Sequence, residues 1–227
     1  MPIWNSKSIS APILPLKNKV RYPTMFYETD GPHGLPHNPF KSCIVPRPIA
    51  WISTVSPEGI VNLAPFSFFN GVSDTPPMVM FAAGNRPEGG AKDTVSNIEK
   101  TGEFVVNMAT WDQRSQISES SAPLAPDESE VDLLGLETLP SHLVKPPRIK
   151  VSPIHMECTF VDKMDLPVSE PGKRNVIIIG KVCAIHIDDD ILVDGLIDLT
   201  KVRPLARLGY HEYTSVTDIT TIQRPSD

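Results

Sequence analysis

The chain has 227 residues, of which 40% are hydrophobic, 21% are charged and 24 are proline, with a formal net charge of −6. This length suits one domain with appendages and a sizeable buried core. The acidic balance argues against nucleic acid or an anionic membrane surface as partner, while leaving room for a local basic pocket.

Residues 1–25 carry prolines at positions 2, 12, 15 and 23 without sustained periodicity. They read as an extended arm suited to a partner subunit. A loop follows at Asp30–Pro39. Its His33 and His37, with Asp30, are spaced like metal ligands, but the intervening Pro and Gly remove the helical geometry that would converge them, so no metal is expected. Strands are expected at about 44–55, 60–66, 78–84 and 103–108, separated by Pro, Gly, Asn or Asp as in a β-barrel. A helix capped by Asp93 or Thr94 should end before Gly102. Residues 111–150 form an insertion with short helical patterns around 113–119 and 128–134. Strands return at about 154–164 and 174–187, so 26–215 form the domain and 216–227 a tail. Asp188-Asp189-Asp190 reads as a solvated helix start.

Cys43, Cys158 and Cys183 form no CxxC pair, so the sequence carries neither a disulfide framework nor a zinc signature. A reducing cytoplasm is the simplest compartment. The N-terminus lacks the charged start and apolar core of a secretory signal. Val176–Ile179 is too short an apolar run to span a bilayer. GxSxG, HExxH, Walker and Rossmann patterns are all missing, which leaves hydrolase and nucleotide-triphosphatase readings without support.

The chemistry is concentrated in three places. Ser53 and Thr54 end an apolar strand, where their hydroxyls can face a ligand or bond the following turn. Asn62-Leu63-Ala64-Pro65-Phe66-Ser67 mixes small, polar and aromatic groups as an amphipathic aromatic ligand requires. Pro65 removes a ladder donor, which places it at an edge or interruption. Arg86 and Lys92-Asp93-Thr94 sit at a helix start, where an anion can bind or where Asp93 simply caps. Phe68 and Phe69 suit a core or subunit interface better than stacking.

In combination, Pro46–Thr54, Asn62–Ser67, Lys92-Asp93-Thr94, Gly102–Asn107 and Arg207-Leu208-Gly209-Tyr210 resemble the flavin reductase-like and flavoredoxin branch of the FMN-binding split-barrel superfamily. The likeness runs from about Phe26 to Tyr213. It implies a mainly β fold, a six-stranded antiparallel split β-barrel with a few peripheral helices. It also implies FMN as cofactor, a homodimer with both subunits at each site, and NADH or NADPH as electron donor. Flavin-binding residues would then be Ser53, Thr54, Asn62, Ala64, Pro65, Phe66, Ser67, Arg86, Lys92, Asp93, Thr94, Arg207 and Tyr210. The activity implied is NAD(P)H-dependent flavin reduction, with an oxygenase or electron-transfer protein as partner. Flavoredoxin-type electron transfer and non-catalytic FMN binding are the alternatives, since fold does not fix function.

Overall fold

The computed structural model describes residues 24–86, 89–125, 127–223 and 225. Two units are distinguished, 1–38 and 39–227, and most of the expected arm, residues 1–23, lies outside the described residues. In the first unit the Gly31 N–H bonds the Glu28 carbonyl at 2.9 Å, and the Tyr27 and His33 rings meet edge to face. His33 Nδ1 accepts from the Leu35 N–H at 3.1 Å.

The second unit carries the sheet. Its strands begin with β1 (Arg47–Pro48), β2 (Ala50–Val55), β3 (Val61–Phe66), β4 (Phe69–Asp74) and β5 (Pro77–Ala83). Helix α1 (Asp93–Thr101) leads into β6 (Glu103–Met108). The insertion contributes α2 (Arg114–Glu119), α3 (Glu130–Leu133) and the small ladder of β7 (Thr138–Leu139) with β8 (Arg148–Ile149). Two long strands, β9 (Ile154–Leu166) and β10 (Asn175–Ile187), then pair along their length. The chain closes with the hairpin β11 (Leu192–Val193) and β12 (Leu196–Ile197), α4 (Leu199–Val202), β13 (Leu205–Arg207) and β14 (Tyr213–Ser215).

The main sheet is antiparallel and seven-stranded, in the order β3-β2-β6-β9-β10-β5-β4. Six of these strands match the expected segments. The seventh, β4, was not expected, because Asn70, Gly71, Ser73 and Asp74 are poor strand formers. It lies at one end of the strand order and is exposed beyond Phe69. Strand β3 ends the order on the other side, so Pro65 lacks its donor where no ladder needs it. The sheet curls until Phe66 of β3 meets Phe81 of β5, with ring centroids 4.7 Å apart.

Alternation along β2 explains the two cores. Ala50 and Ile52 face inward with Phe66, Phe81, Phe104, Val106, Cys158 and Ile178, and α1 adds Val95 and Ile98 to this core. Trp51 faces outward and is fully buried by Leu63, Ile117, Val131, Ile149 and Leu205. The insertion is therefore the cover of the barrel's outer face, and burying Trp51 there contributes on the order of 2–3 kcal/mol. Gly180 of β10 allows close packing, since a Cβ there would lie 2.3 Å from Phe104. Within the Phe66–Phe69 corner, Phe66 turns into the core and Phe68 stays 38% exposed. Among the described residues, no helix is long and apolar enough to cross a membrane.

Candidate functional site

Helix α1 begins one residue earlier than the capping pattern implies. Its N-cap is Lys92, in extended geometry, and no side chain caps the first turn. Asp93 instead forms an ion pair with Arg86, whose loop returns through an Arg86 N–H to Gly90 carbonyl bond of 3.1 Å. The first-turn N–H groups thus keep their partial positive charge with no side chain competing for them. The far end closes as expected, with Gly102 at φ 75° donating to the Ile98 carbonyl.

In front of this helix start lies a cavity of ≈ 190 Å³ lined by Asn62, Ala64 and Pro65 of β3, by Arg86, Lys92, Asp93 and Thr94, and by Asn85. Its opposite wall is the Ser120–Leu124 turn and Glu130. Whole small-molecule sites occupy roughly 300–1,000 Å³, so this volume suits one part of a mononucleotide. Ala64, Pro65, Ala122, Pro123 and Leu124 form its apolar lining.

Two cations, Arg86 and Lys92, and two acids, Asp93 and Glu130, line the cavity, and Arg86 is paired with Asp93. Burial pushes the Lys92 ammonium below the usual lysine range, and the neighbouring Arg86 charge adds to this. The Lys92 Nζ lies over the Phe66 ring, 5.6 Å from its centroid, a favourable cation–π placement. A half-buried ammonium destabilised by a second cation is relieved when an anion arrives.

Beneath the cavity runs a polar chain. The Thr94 hydroxyl donates to Asn62 Oδ1 at 3.0 Å, and Asn62 Nδ2 donates to Glu130 Oε2 at 3.0 Å. The Leu63 N–H also donates to Glu130 Oε2, at 2.8 Å. Thr94 is therefore buried and its hydroxyl proton committed, and what it offers a ligand is its backbone N–H. Next to it, Asn97 Nδ2 donates to Thr54 Oγ1 at 3.1 Å.

Seven of the thirteen residues singled out from sequence meet at this cavity: Asn62, Ala64, Pro65, Arg86, Lys92, Asp93 and Thr94. The others lie elsewhere. Ser53 is fully buried; its hydroxyl donates to the Pro147 carbonyl at 2.6 Å and accepts from Asn107 Nδ2. Asn107 also bonds the Ile149 N–H, so this pair anchors the insertion, and the ligand-facing hydroxyl expected of Ser53 is corrected to an internal one. Thr54 is likewise buried against α1, Phe66 is core, and Ser67 sits half-buried in the corner before β4.

Arg207 belongs to a separate three-stranded sheet, β1-β13-β14, Tyr210 lies in the turn between β13 and β14, and neither lines the cavity. Arg207 stacks 4.4 Å from the Tyr213 centroid and donates to the Tyr210 carbonyl at 2.6 Å. Tyr210 holds φ 54° and is 48% exposed. Opposite Arg207, Arg47 is buried and donates to the carbonyls of Lys41, Ile44 and Leu208, and burial followed by the Arg207 charge lowers its pKa.

Sequence reasoning missed Asn85, Glu130 and the Ser120–Leu124 turn. The turn is fixed by Trp51, whose Nε1 donates to Ser120 Oγ at 2.9 Å across 69 residues. The small-residue run Ser120-Ser121-Ala122-Pro123, at the end of a helical pattern, was its only local signal.

The flavin reductase-like domain model matches residues 42–205. The chain belongs to the flavin reductase-like family. It is 37% identical over 185 residues, 81% of this chain and 88% of the relative, to an uncharacterized protein of Halalkalibacterium halodurans. The structure is similar to nitrilotriacetate monooxygenase component B from Bacillus cereus, with a TM-score of 0.76, 31% identity, and 81% and 90% of the two chains covered. A putative flavin reductase with a split barrel domain from Shewanella frigidimarina superposes with a TM-score of 0.72 at 23% identity, covering 82% and 89%. The fold is thus the mainly β split barrel, in a family of flavin-linked oxidation–reduction proteins.

Proposed function

We propose that this chain binds FMN in the cavity at the start of α1 and acts as an NAD(P)H-dependent flavin reductase. The observation that carries the reading is the meeting of Arg86, Lys92 and an uncapped helix N-terminus at one cavity, in a chain of this family. A phosphate there accepts from the first-turn N–H groups of Asp93 and Thr94 and from the Lys92 ammonium. The Arg86–Asp93 pair fixes the guanidinium at the rim. Asn62, Thr94 and Glu130 hold the floor rigid, while Ala64 and Pro65 give backbone and apolar surface for the rest of the cofactor.

Bound FMN supplies hydride and one-electron chemistry. The chain's own residues bind, orient and shield it, which accounts for a site without an acid–base dyad. The reading includes a homodimer with both subunits at each site, and it assigns Arg207 and Tyr210 to the second subunit's contribution. Similarity to a monooxygenase component B supports an oxygenase as recipient of the reduced flavin. Light scattering should give a dimer; a 25.0 kDa species contradicts that part.

The deciding experiment is steady-state oxidation of NADH and NADPH with and without FMN. Turnover that requires FMN is expected. Tight FMN binding with no oxidation of either nicotinamide removes the reductase assignment and leaves electron transfer between proteins.

A further inference from the structure

Of the lysines among the described residues, Lys92 alone is not exposed. Others are held as ammonium ions by surface acids, Lys150 by Glu137 at 2.6 Å and Lys163 by Glu99 at 2.7 Å. Lys92 has no such counter-ion among the described residues. Its Nζ lies over the Phe66 ring at the cavity wall, where the neighbouring cation, Arg86, already takes Asp93 as its acid partner. We propose that Lys92 is an acylation site for small acyl phosphates, whose phosphate docks at the start of α1. The inference rests on the anion placement of the proposed function and adds a means of regulating it.

Three observations carry it. The first is the state of the amine. An amine must shed its proton to act as a nucleophile, and desolvation or a second cation favours that loss in a lysine. Lys92 has both, since burial lowers its pKa most and Arg86 lowers it further. The second is the anion site beside it. Lys92 is itself the N-cap of α1, so its side chain is rooted at the helix end whose uncapped N–H groups can hold a phosphate. An acyl phosphate docked there carries its carbonyl carbon one bridging oxygen away from phosphorus, next to the amine. The third is room. The cavity of ≈ 190 Å³ accommodates a molecule as small as acetyl phosphate, and Ala64, Pro65 and Leu124 offer apolar wall to the acyl group.

The neutral Nζ attacks the carbonyl carbon and a C–N bond forms. The bond from that carbon to the bridging oxygen breaks, and phosphate leaves with the electron pair. The nitrogen gives up one proton, which the departing phosphate takes, and nothing is oxidised or reduced. The resulting amide is uncharged, so acylation removes the cation that pairs with a flavin phosphate.

The test treats the full chain with acetyl phosphate and follows each lysine by peptide mass spectrometry. Lys100, exposed on the last turn of the same helix, is the internal reference. Lys92 should be acetylated about fivefold or more faster than Lys100. Inorganic phosphate, against chloride at equal ionic strength, should slow Lys92 and leave Lys100 unchanged. Equal rates at the two lysines, or a Lys92 rate indifferent to phosphate, overturns the proposal. The acetylated protein should bind FMN about tenfold or more weaker, with riboflavin moved by less than about twofold. In Lys92→Arg the same treatment should leave FMN affinity at that variant's own starting value; an equal fall there would place the effect at other lysines and overturn the switch. If Lys92 is acetylated selectively and phosphate slows it, yet FMN binding is unchanged, the acylation site stands and the flavin phosphate placement of the proposed function is lost.

Discussion

Two buried glutamates show how this barrel separates structure from site. Glu157 of β9 is fully buried, and its carboxylate accepts from the His142 N–H at 2.8 Å, the Leu143 N–H at 2.6 Å and His186 Nε2 at 2.6 Å. Glu130 of α3 is almost as buried, but its two bonds both fall on Oε2, and Oε1 takes none among the described residues. Glu130 also lines the cavity. A carboxylate saturated by protein donors tethers a loop, whereas one with an oxygen left over at a cavity can accept from a ligand. Burial alone does not tell the two apart; counting donors does.

The largest effect should follow from emptying the saturated site. Glu157→Ala strands two backbone donors and the His186 ring in a water-poor position, so it should cost on the order of 3 kcal/mol in urea unfolding. A loss below about 1 kcal/mol would mean that the 141–146 segment rearranges freely.

Glu157→Gln should cost less, about 1–2 kcal/mol, because its amide group must face one of the three donors. Glu130→Gln should cost under about 1 kcal/mol, because one amide oxygen satisfies both the Asn62 and Leu63 donors. If the two Gln variants lose equal stability, the contrast between the carboxylates fails.

Acid sharpens the comparison further. Burial pushes the Glu157 carboxyl up, but the His142 and Leu143 N–H bonds and His186 outweigh it and hold the group below the usual carboxylate range. Burial also lowers the His155 pKa, despite its bond to the Ile149 carbonyl. Both folded pKa values lie below their unfolded ones, so both groups contribute stability that is lost on acidification. For His155 the loss starts near 6.5, where an ordinary histidine takes up its proton. For Glu157 it starts near 4.5. The melting temperature should therefore fall in two stages from about pH 7.5 to about pH 3, and Glu157→Gln should flatten only the second. A flat profile in wild type would contradict the assignment.

Much of this architecture was legible in the sequence, and the limits have physical causes. Strands β2, β3, β5, β6, β9 and β10 and helix α1 were readable because apolar periodicity and Gly102 are local signals. Strand β4 was not, because an exposed edge needs no apolar face. The helix start was off by one residue because the Asp93 carboxylate is taken by Arg86 and does not cap the helix. In β2, strict alternation makes the outward direction of Ser53 readable. What it meets there, Pro147 and Asn107, is set by contacts 94 and 54 residues away. Glu130 reaches Asn62 across 68 residues with no local pattern to announce it.

The most direct test of the central claim is a flavin titration of Lys92→Ala. Lys92 is half-buried beside the cavity and makes no bond in the polar chain below it, so its removal tests the anion site while leaving the floor intact. FMN affinity should fall by about tenfold or more, equivalent to roughly 1.4 kcal/mol, while riboflavin, which lacks the phosphate, should change by less than about twofold. Because the Lys92 pKa is lowered, wild-type FMN affinity should also decline on raising the pH sooner than an ordinary lysine would dictate, a decline that Lys92→Ala removes. A parallel loss for FMN and riboflavin, or no loss for either, would contradict the placement of a flavin phosphate at the start of α1.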